Sequence, residues 1–264
     1  MSAANAAPHR IRIGLLPVDS VSLAQALDVV DRLVRDKHGG TVFTPNVDHV
    51  VQAEHDPRFR AAYDEVSLSL VDGMPLMWAS RWLKTPLPEK ISGSDFVLPL
   101  MQRAADRGHR VYFLGGAPGA AELAKAKLQE RMPTLKIVGI DEARIDVNAS
   151  PEAKRPILER IAAAKPDLLL VALGAPKQEI WSHENRTALS GAVLIGVGAS
   201  LDFIAGTVRR APRWLSNLGL EWLYRLLQEP RRLARRYLLR DPEFFKIVLR
   251  QMRKPMISDS SQMR

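Results

Sequence analysis

The sequence predicts an α/β protein: a Rossmann-like, mostly parallel sheet flanked by helices, followed by a C-terminal helical appendage. Three observations lead there. Short apolar runs alternate with longer helical patterns. Several of the runs are near-continuous Val, Ile and Leu, as strands buried on both faces require. The rhythm then changes after Thr207, beyond which no strand pattern recurs.

In chain order, strands are expected at 11–16, 41–44, 66–71, 110–114, 135–140, 168–173 and 193–197. Helices are expected between them at 20–37, 47–63, 94–107, 118–131, 151–164 and 176–189. Pro118, Pro151 and Pro176 suit a first helical turn, where a missing N–H is harmless. The alternation implies βαβ units. Over residues 210–253, aromatic and Leu residues recur at helical spacing among arginines, and Pro230 and Pro242 divide the stretch into about three helices. The organisation is thus an α/β domain over 1–208 and a basic, aromatic appendage over 209–264.

Composition narrows the function classes. With 264 residues, 46% hydrophobic and 25% charged, the chain is globular rather than disordered. The absence of Cys excludes disulfides, zinc–thiolate sites, iron–sulfur clusters and a cysteine nucleophile. The opening MSAANAAPHR lacks the apolar region of a secretory signal. The longest uncharged stretch, 187–201, is too short and polar to span a bilayer, which takes about 20 apolar residues. A cytoplasmic location is expected. The net charge is +9, and its distribution is uneven: residues 209–264 hold 14 of the 38 basic side chains but 5 of the 29 acidic ones. The body is neutral and the tail carries the whole excess, which points to nucleic acid, anionic lipid or a phosphorylated substrate.

Ligands of open α/β sheets bind beyond the carboxyl ends of strands. Four segments stand there: Thr44-Pro45-Asn46-Val47-Asp48-His49, Val71-Asp72-Gly73-Met74, Leu114-Gly115-Gly116-Ala117-Pro118-Gly119 and Leu173-Gly174-Ala175-Pro176-Lys177-Gln178-Glu179. The glycine loop has neither the dinucleotide fingerprint nor a Walker A lysine, and it reads equally as a phosphate cradle or a tight turn. Asp72 reads as a general base or as a helix N-cap. Gln178 and Glu179 read as hydrogen-bonding partners of a substrate or as ordinary first-turn residues. Thr44 and Asn46 have a similar alternative in turn and cap chemistry. His49, His55 and His183 form no metal-ligand spacing. No Asp-x-Asp occurs, which counts against a cation-dependent nucleotide-sugar site. The tail arginines 209, 210, 213, 225, 231, 232, 235, 236 and 240 lie among Trp214, Trp222, Tyr224, Tyr237, Phe244 and Phe245. Such a stretch fits a membrane interface or a solvated face with its aromatics packed inward.

Taken in order, these motifs resemble the WecG/TagA/CpsF family of bacterial glycosyltransferases over roughly residues 11–250. The resemblance rests on the segments above together with Ser92-Gly93-Ser94-Asp95, Gly196-Val197-Gly198-Ala199, Arg210-Ala211-Pro212 and Glu221-Trp222-Leu223-Tyr224-Arg225-Leu226. It implies inverting transfer of a sugar from a nucleotide sugar, with UDP the expected nucleotide, to a polyprenyl-diphosphate-linked acceptor. That chemistry would run without cofactor or metal at the inner membrane face. The resemblance puts the catalytic base on Asp72 and substrate contacts on Thr44, Asn46 and Gln178. Gly73, Lys90, Gly93, Gly115, Gly116 and Glu179 complete the expected substrate-binding set. Diphosphate-binding arginines map to Arg225, Arg232 and Arg235. Lys90 stands where the family commonly has Arg, a point charge in place of a planar fork. Nucleic acid is not an expected partner, and homo-oligomerisation is left open. The rival class is a nonenzymatic nucleic-acid binder using the basic tail, whose binding would fall steeply with salt. A nucleotide-dependent oxidoreductase lacks the Rossmann glycine spacing.

Overall fold

The computed structural model describes residues 8–142, 145–208, 211–212, 215, 220–228 and 230–253, without the side chains of residues 221, 225, 232, 235 and 239. The chain opens with β1 (Arg10–Ile13) and β2 (Leu16–Asp19), an antiparallel hairpin. One strand was expected over 11–16. Gly14, at φ 61°, instead turns the chain, and Ile11, Ile13, Leu16 and Val18 are all buried. Arg10 closes the hairpin base with two bonds to Asp19, at 2.7 and 2.9 Å.

There follow α1 (Leu23–Arg35), β3 (Gly40–Phe43), α2 (Val47–His55), α3 (Pro57–Asp64), β4 (Leu68–Ser69), α4 (Met74–Trp82) and α5 (Gly93–Arg107). The single helix expected over 47–63 is two. Pro57 has no N–H to continue α2, and Asp56 caps the new helix by accepting from the Arg58 and Phe59 amides. The chain continues through β5 (Arg110–Gly115), α6 (Ala120–Arg131), β6 (Lys136–Asp141), α7 (Pro151–Ala164), β7 (Leu168–Ala172), α8 (Lys177–Asn185), β8 (Val193–Gly196) and α9 (Ser200–Ala205). At six residues, α9 is too short to show a periodicity in the sequence.

The six strands β3 to β8 form one parallel sheet in the order β4-β3-β8-β7-β5-β6. Both faces are covered. Val111, Phe113, Leu168, Leu170, Val193 and Ile195 pack under α1, α5, α6 and α9. Their alternates Leu114, Leu169, Val171 and Leu194 pack under α7 and α8. This period-two division between two buried faces is why the strands read as unbroken apolar runs. A second core on the latter side joins the hairpin, α2, α3 and α4.

The tail contains α10 (Glu221–Gln228), α11 (Pro230–Arg235), a π-helical turn (Arg236–Arg240) and α12 (Glu243–Arg253). Pro230 opens a helix and Pro242 separates the last two segments, as the sequence suggests. Helix α12 is built into the body. Phe244, Ile247 and Val248 are buried in the second core. Gln251 accepts from the Gly14 amide and donates to the Arg12 carbonyl, both at 2.8 Å. A Cβ on Gly14 would sit 2.9 Å from Ile247, so glycine is needed there for space as well as for its positive φ. Among the described residues, no helix is long and apolar enough to cross a membrane.

Candidate active site

The carboxyl ends of β3, β4 and β8 meet at one junction. A Cβ added to Gly93, the first residue of α5, would lie 3.5 Å from Thr44 Oγ1, 3.4 Å from Ser200 Oγ and 3.6 Å from the Val197 carbonyl. These are ordinary packing distances, and they place the start of α5 against the ends of β3 and β8. Ser92 caps α5, accepting from the Asp95 amide at 3.2 Å and donating to its carboxylate at 2.6 Å. Lys90 Nζ lies 3.9 Å from that carboxylate, which holds this cation close to the junction.

Asp72 follows β4 and is half-buried. Its amide donates to the Pro45 carbonyl at 2.9 Å, and the Ile91 amide donates to the Val71 carbonyl at 2.8 Å. These bonds tie the β4 end to the Thr44-Pro45-Asn46 loop on one side and to the segment after Lys90 on the other. The N-cap of α4 is Gly73, at φ 102°, so Asp72 does not cap that helix. A positive φ at Gly73 sets the turn that carries Asp72 across the sheet edge. Tyr63 lies close enough to feel the charge of Asp72: its phenol pKa is pushed well above the usual range by burial first, then by Glu179 and Asp72.

Asn46 caps α2, accepting from the Asp48 amide at 3.1 Å. Its side chain begins a buried polar chain. His49 Nδ1 lies 2.8 Å from Asn46 Oδ1, and His49 Nε2 lies 3.3 Å from Glu179 Oε1. Gln178 Nε2 donates to the same Glu179 oxygen at 2.8 Å, and Gln178 Oε1 accepts from the Gly198 amide at 3.0 Å. Gln178 is thereby held at both ends, through its amide oxygen and one of its two N–H groups. A Cβ on Gly196 would come within 2.9 Å of Gln178 Nε2, so glycine in β8 makes room for that side chain. Glu179 was expected to touch substrate. In the structure it is fully buried, with Oε1 shared between Gln178 and His49.

The glycine loop after β5 has a different character. Gly115 (φ 87°) and Gly116 (φ 97°) turn tightly, and a Cβ on Gly115 would lie 2.7 Å from the Ala172 carbonyl. The loop amides already have anionic partners: Ala117 donates to Asp202 at 3.0 Å, and Gly119 and Ala121 donate to the two oxygens of Glu142 at 2.9 and 3.1 Å. In this structure the loop is a tight turn whose helix end is neutralised by protein carboxylates.

The side chains of Arg225, Arg232 and Arg235 lie outside the described residues. Their neighbours in the π-helical turn do reach the site. Arg236 Nη2 donates to Asn46 Oδ1 at 3.1 Å, and its Nε lies 3.4 Å from Asp48 Oδ2. Arg240 pairs with the other Asp48 oxygen. Burial raises the Asp241 pKa from 3.8 to about 6, with Arg236 opposing the shift. In the sequence, Asp48 stood within the first strand-end segment but was given no role, Tyr63 and Asp241 were given none, and Arg236 and Arg240 were not assigned to the diphosphate. The available signal was an acid in the first turn of a helix whose cap was already a candidate. Among the described residues, no group of three or more His, Asp or Glu side chains could hold a metal ion.

A family model described as "Glycosyl transferase WecG/TagA/CpsF family" matches residues 11–257. The chain belongs to the WecG/TagA/CpsF glycosyltransferase family. The chain is also similar to a Bacillus spizizenii protein, N-acetylglucosaminyldiphosphoundecaprenol N-acetyl-beta-D-mannosaminyltransferase, 31% identical over 215 residues, covering 81% of this chain and 80% of the relative. In this WecG/TagA/CpsF glycosyltransferase, Thr44 and Asn46 follow β3, Asp72 follows β4, Gln178 lies in the first turn of α8, and Arg236 of the tail reaches Asn46.

Proposed function

We propose that the chain transfers a sugar from a UDP-sugar to a polyprenyl-diphosphate-linked sugar acceptor, with inversion and without a metal ion. The supporting observation is Asp72: a half-buried carboxylate at the end of β4 that is not engaged in capping. Asp72 takes the proton of the acceptor hydroxyl, and the oxygen attacks the anomeric carbon. The bond from that carbon to the diphosphate oxygen breaks, and the nucleoside diphosphate leaves with the electron pair. A single displacement of this kind inverts the anomeric centre. Thr44, Asn46 and Gln178 hold donor and acceptor hydroxyls. Gly73 and Gly93 keep the backbone out of the substrate's space, and Gly115 and Gly116 shape the neighbouring wall.

Charge on the leaving diphosphate must be met by protein cations. Arg225, Arg232 and Arg235 in the 209–264 appendage are assigned that role, with Lys90 contributing from the body. The acceptor class follows from the relative's printed substrate, and such an acceptor is anchored in a bilayer. The +9 tail favours an anionic leaflet, each engaged basic residue contributing roughly 1 kcal/mol. Exposed Trp78, Trp82, Phe245, Leu249 and Met252 add apolar surface for peripheral binding at the inner face.

The test is transfer by the full-length protein from a panel of UDP-sugars to a polyprenyl-diphosphate-linked N-acetylglucosamine, with EDTA present. Product with inverted anomeric configuration supports the proposal. Activity that vanishes with EDTA and returns with Mg²⁺ or Mn²⁺ overturns its metal-free part. Retention of configuration overturns the single displacement.

A further inference from the structure

Asp48 is 2% exposed, in the first turn of α2. A carboxylate removed from water to that degree needs donors and cations in place of its hydration. Gln52 supplies one donor, at 2.6 Å. The cations come from the far end of the chain. Arg236 approaches one oxygen at 3.4 Å, and Arg240, 192 positions away in sequence, takes the other. Among the described residues of the body, no Lys or Arg pairs with Asp48. The π-helical turn widens the helix and presents both arginines to the one carboxylate.

Arg236 also makes a second contact. Its Nη2 donates to Asn46 Oδ1, and from there the polar chain runs through His49 and Glu179 to Gln178 and the Gly198 amide. One guanidinium therefore touches both the buried anion that receives the tail and the first member of the chain that aligns Gln178.

We propose that Asp48 is the receptor that latches the tail onto the body, and that Arg236 is a positioning residue. By bridging Asp48 and Asn46 it holds Asn46 and Gln178 in register only while the tail is seated. Docking of the appendage and alignment of the strand-end side chains become one event. The proposal rests on the transfer reading above for its kinetic consequence.

The test compares full-length variants. Arg236→Lys keeps a charge for Asp48 but cannot bridge to Asn46, because an ammonium lacks the fork. Its melting temperature should stay near wild type, while kcat falls about 10-fold or more and KM for the nucleotide sugar changes less. The pair Asp48→Asn with Arg236→Gln removes the buried charge together with its bridge. It should regain most of the stability lost in Asp48→Asn alone, yet leave kcat low. Wild-type kcat in Arg236→Lys, or recovery of kcat along with stability in the neutral pair, overturns the positioning role. A readout independent of turnover is amide exchange of the peptide carrying Gly198. It should quicken in Arg236→Lys, and unchanged protection there contradicts the coupling. If the wild-type protein transfers no sugar, the transfer reading fails while the exchange result still decides the latch.

Discussion

Two strand ends that look alike in the sequence are built for different purposes. After β4, Val71-Asp72-Gly73 uses a glycine to swing a carboxylate across the sheet edge, and that carboxylate is not a helix cap. After β5, Leu114-Gly115-Gly116 uses glycines to pass close to β7, and the amides beyond them already bind Asp202 and Glu142. Glycine at a strand end therefore does not by itself mark a ligand site. What distinguishes the two ends is that the β5 loop amides are taken up by protein carboxylates, whereas the β4 end presents a half-buried carboxylate that does not cap the following helix.

After Asp72 itself, the largest expected effect lies on β8, which pairs with β3. Gly196→Ala would push a methyl group against Gln178 Nε2, and that amide is the movable end of a side chain. The fold should survive with a small drop in melting temperature, while kcat falls about 10- to 100-fold because a displaced contact misaligns the substrate. Full activity in Gly196→Ala would remove Gln178 from the site.

The β5 side should answer differently. Glu142→Ala leaves the Gly119 and Ala121 amides without their carboxylate, costing about 1 kcal/mol of stability in urea unfolding, with kcat and KM unchanged. A several-fold lower KM for the nucleotide sugar would mean that Glu142 had been occupying a phosphate cradle, and the contrast between the two ends would collapse.

A smaller effect concerns the tail's seat. The folded Asp241 carboxyl, raised to about 6, binds its proton more tightly than the unfolded chain does. Its contribution to stability is complete below about pH 4 and is lost as pH rises through about 6. Asp241→Asn keeps the neutral shape, so the decline in melting temperature between pH 4.5 and 7 should be shallower than in the wild type. An equally steep decline would assign that titration to another group.

Much of this was legible in the sequence. The unbroken Val, Ile and Leu runs gave the parallel sheet because both faces are buried, and Pro151 marked the start of α7 at the residue where it begins. The hairpin was not legible, because Gly14 inside an alternating run looks like part of one strand. The break at Asp56-Pro57 was masked by apolar spacing that continues across it. Of the candidate site, Thr44, Asp72 and Gln178 stood out in the sequence by their strand-end positions, and Gly93 through the family resemblance. The bond from Glu179 to His49 was not legible, because its partner lies 130 residues away. Asp48 stood in a strand-end segment without a role, because its charged partners come from the tail and no local pattern records a contact over that separation.

The central claim is that Asp72 acts as the base in sugar transfer. The most direct measurement is turnover of Asp72→Asn against wild type, on the same UDP-sugar and polyprenyl-diphosphate-linked acceptor, with nucleotide binding and melting temperature measured alongside. The amide keeps the side chain's size and removes its basicity. The account predicts a loss of about 10²- to 10⁴-fold in kcat, with binding and fold intact. A well-folded Asp72→Asn protein that turns over at the wild-type rate would contradict it.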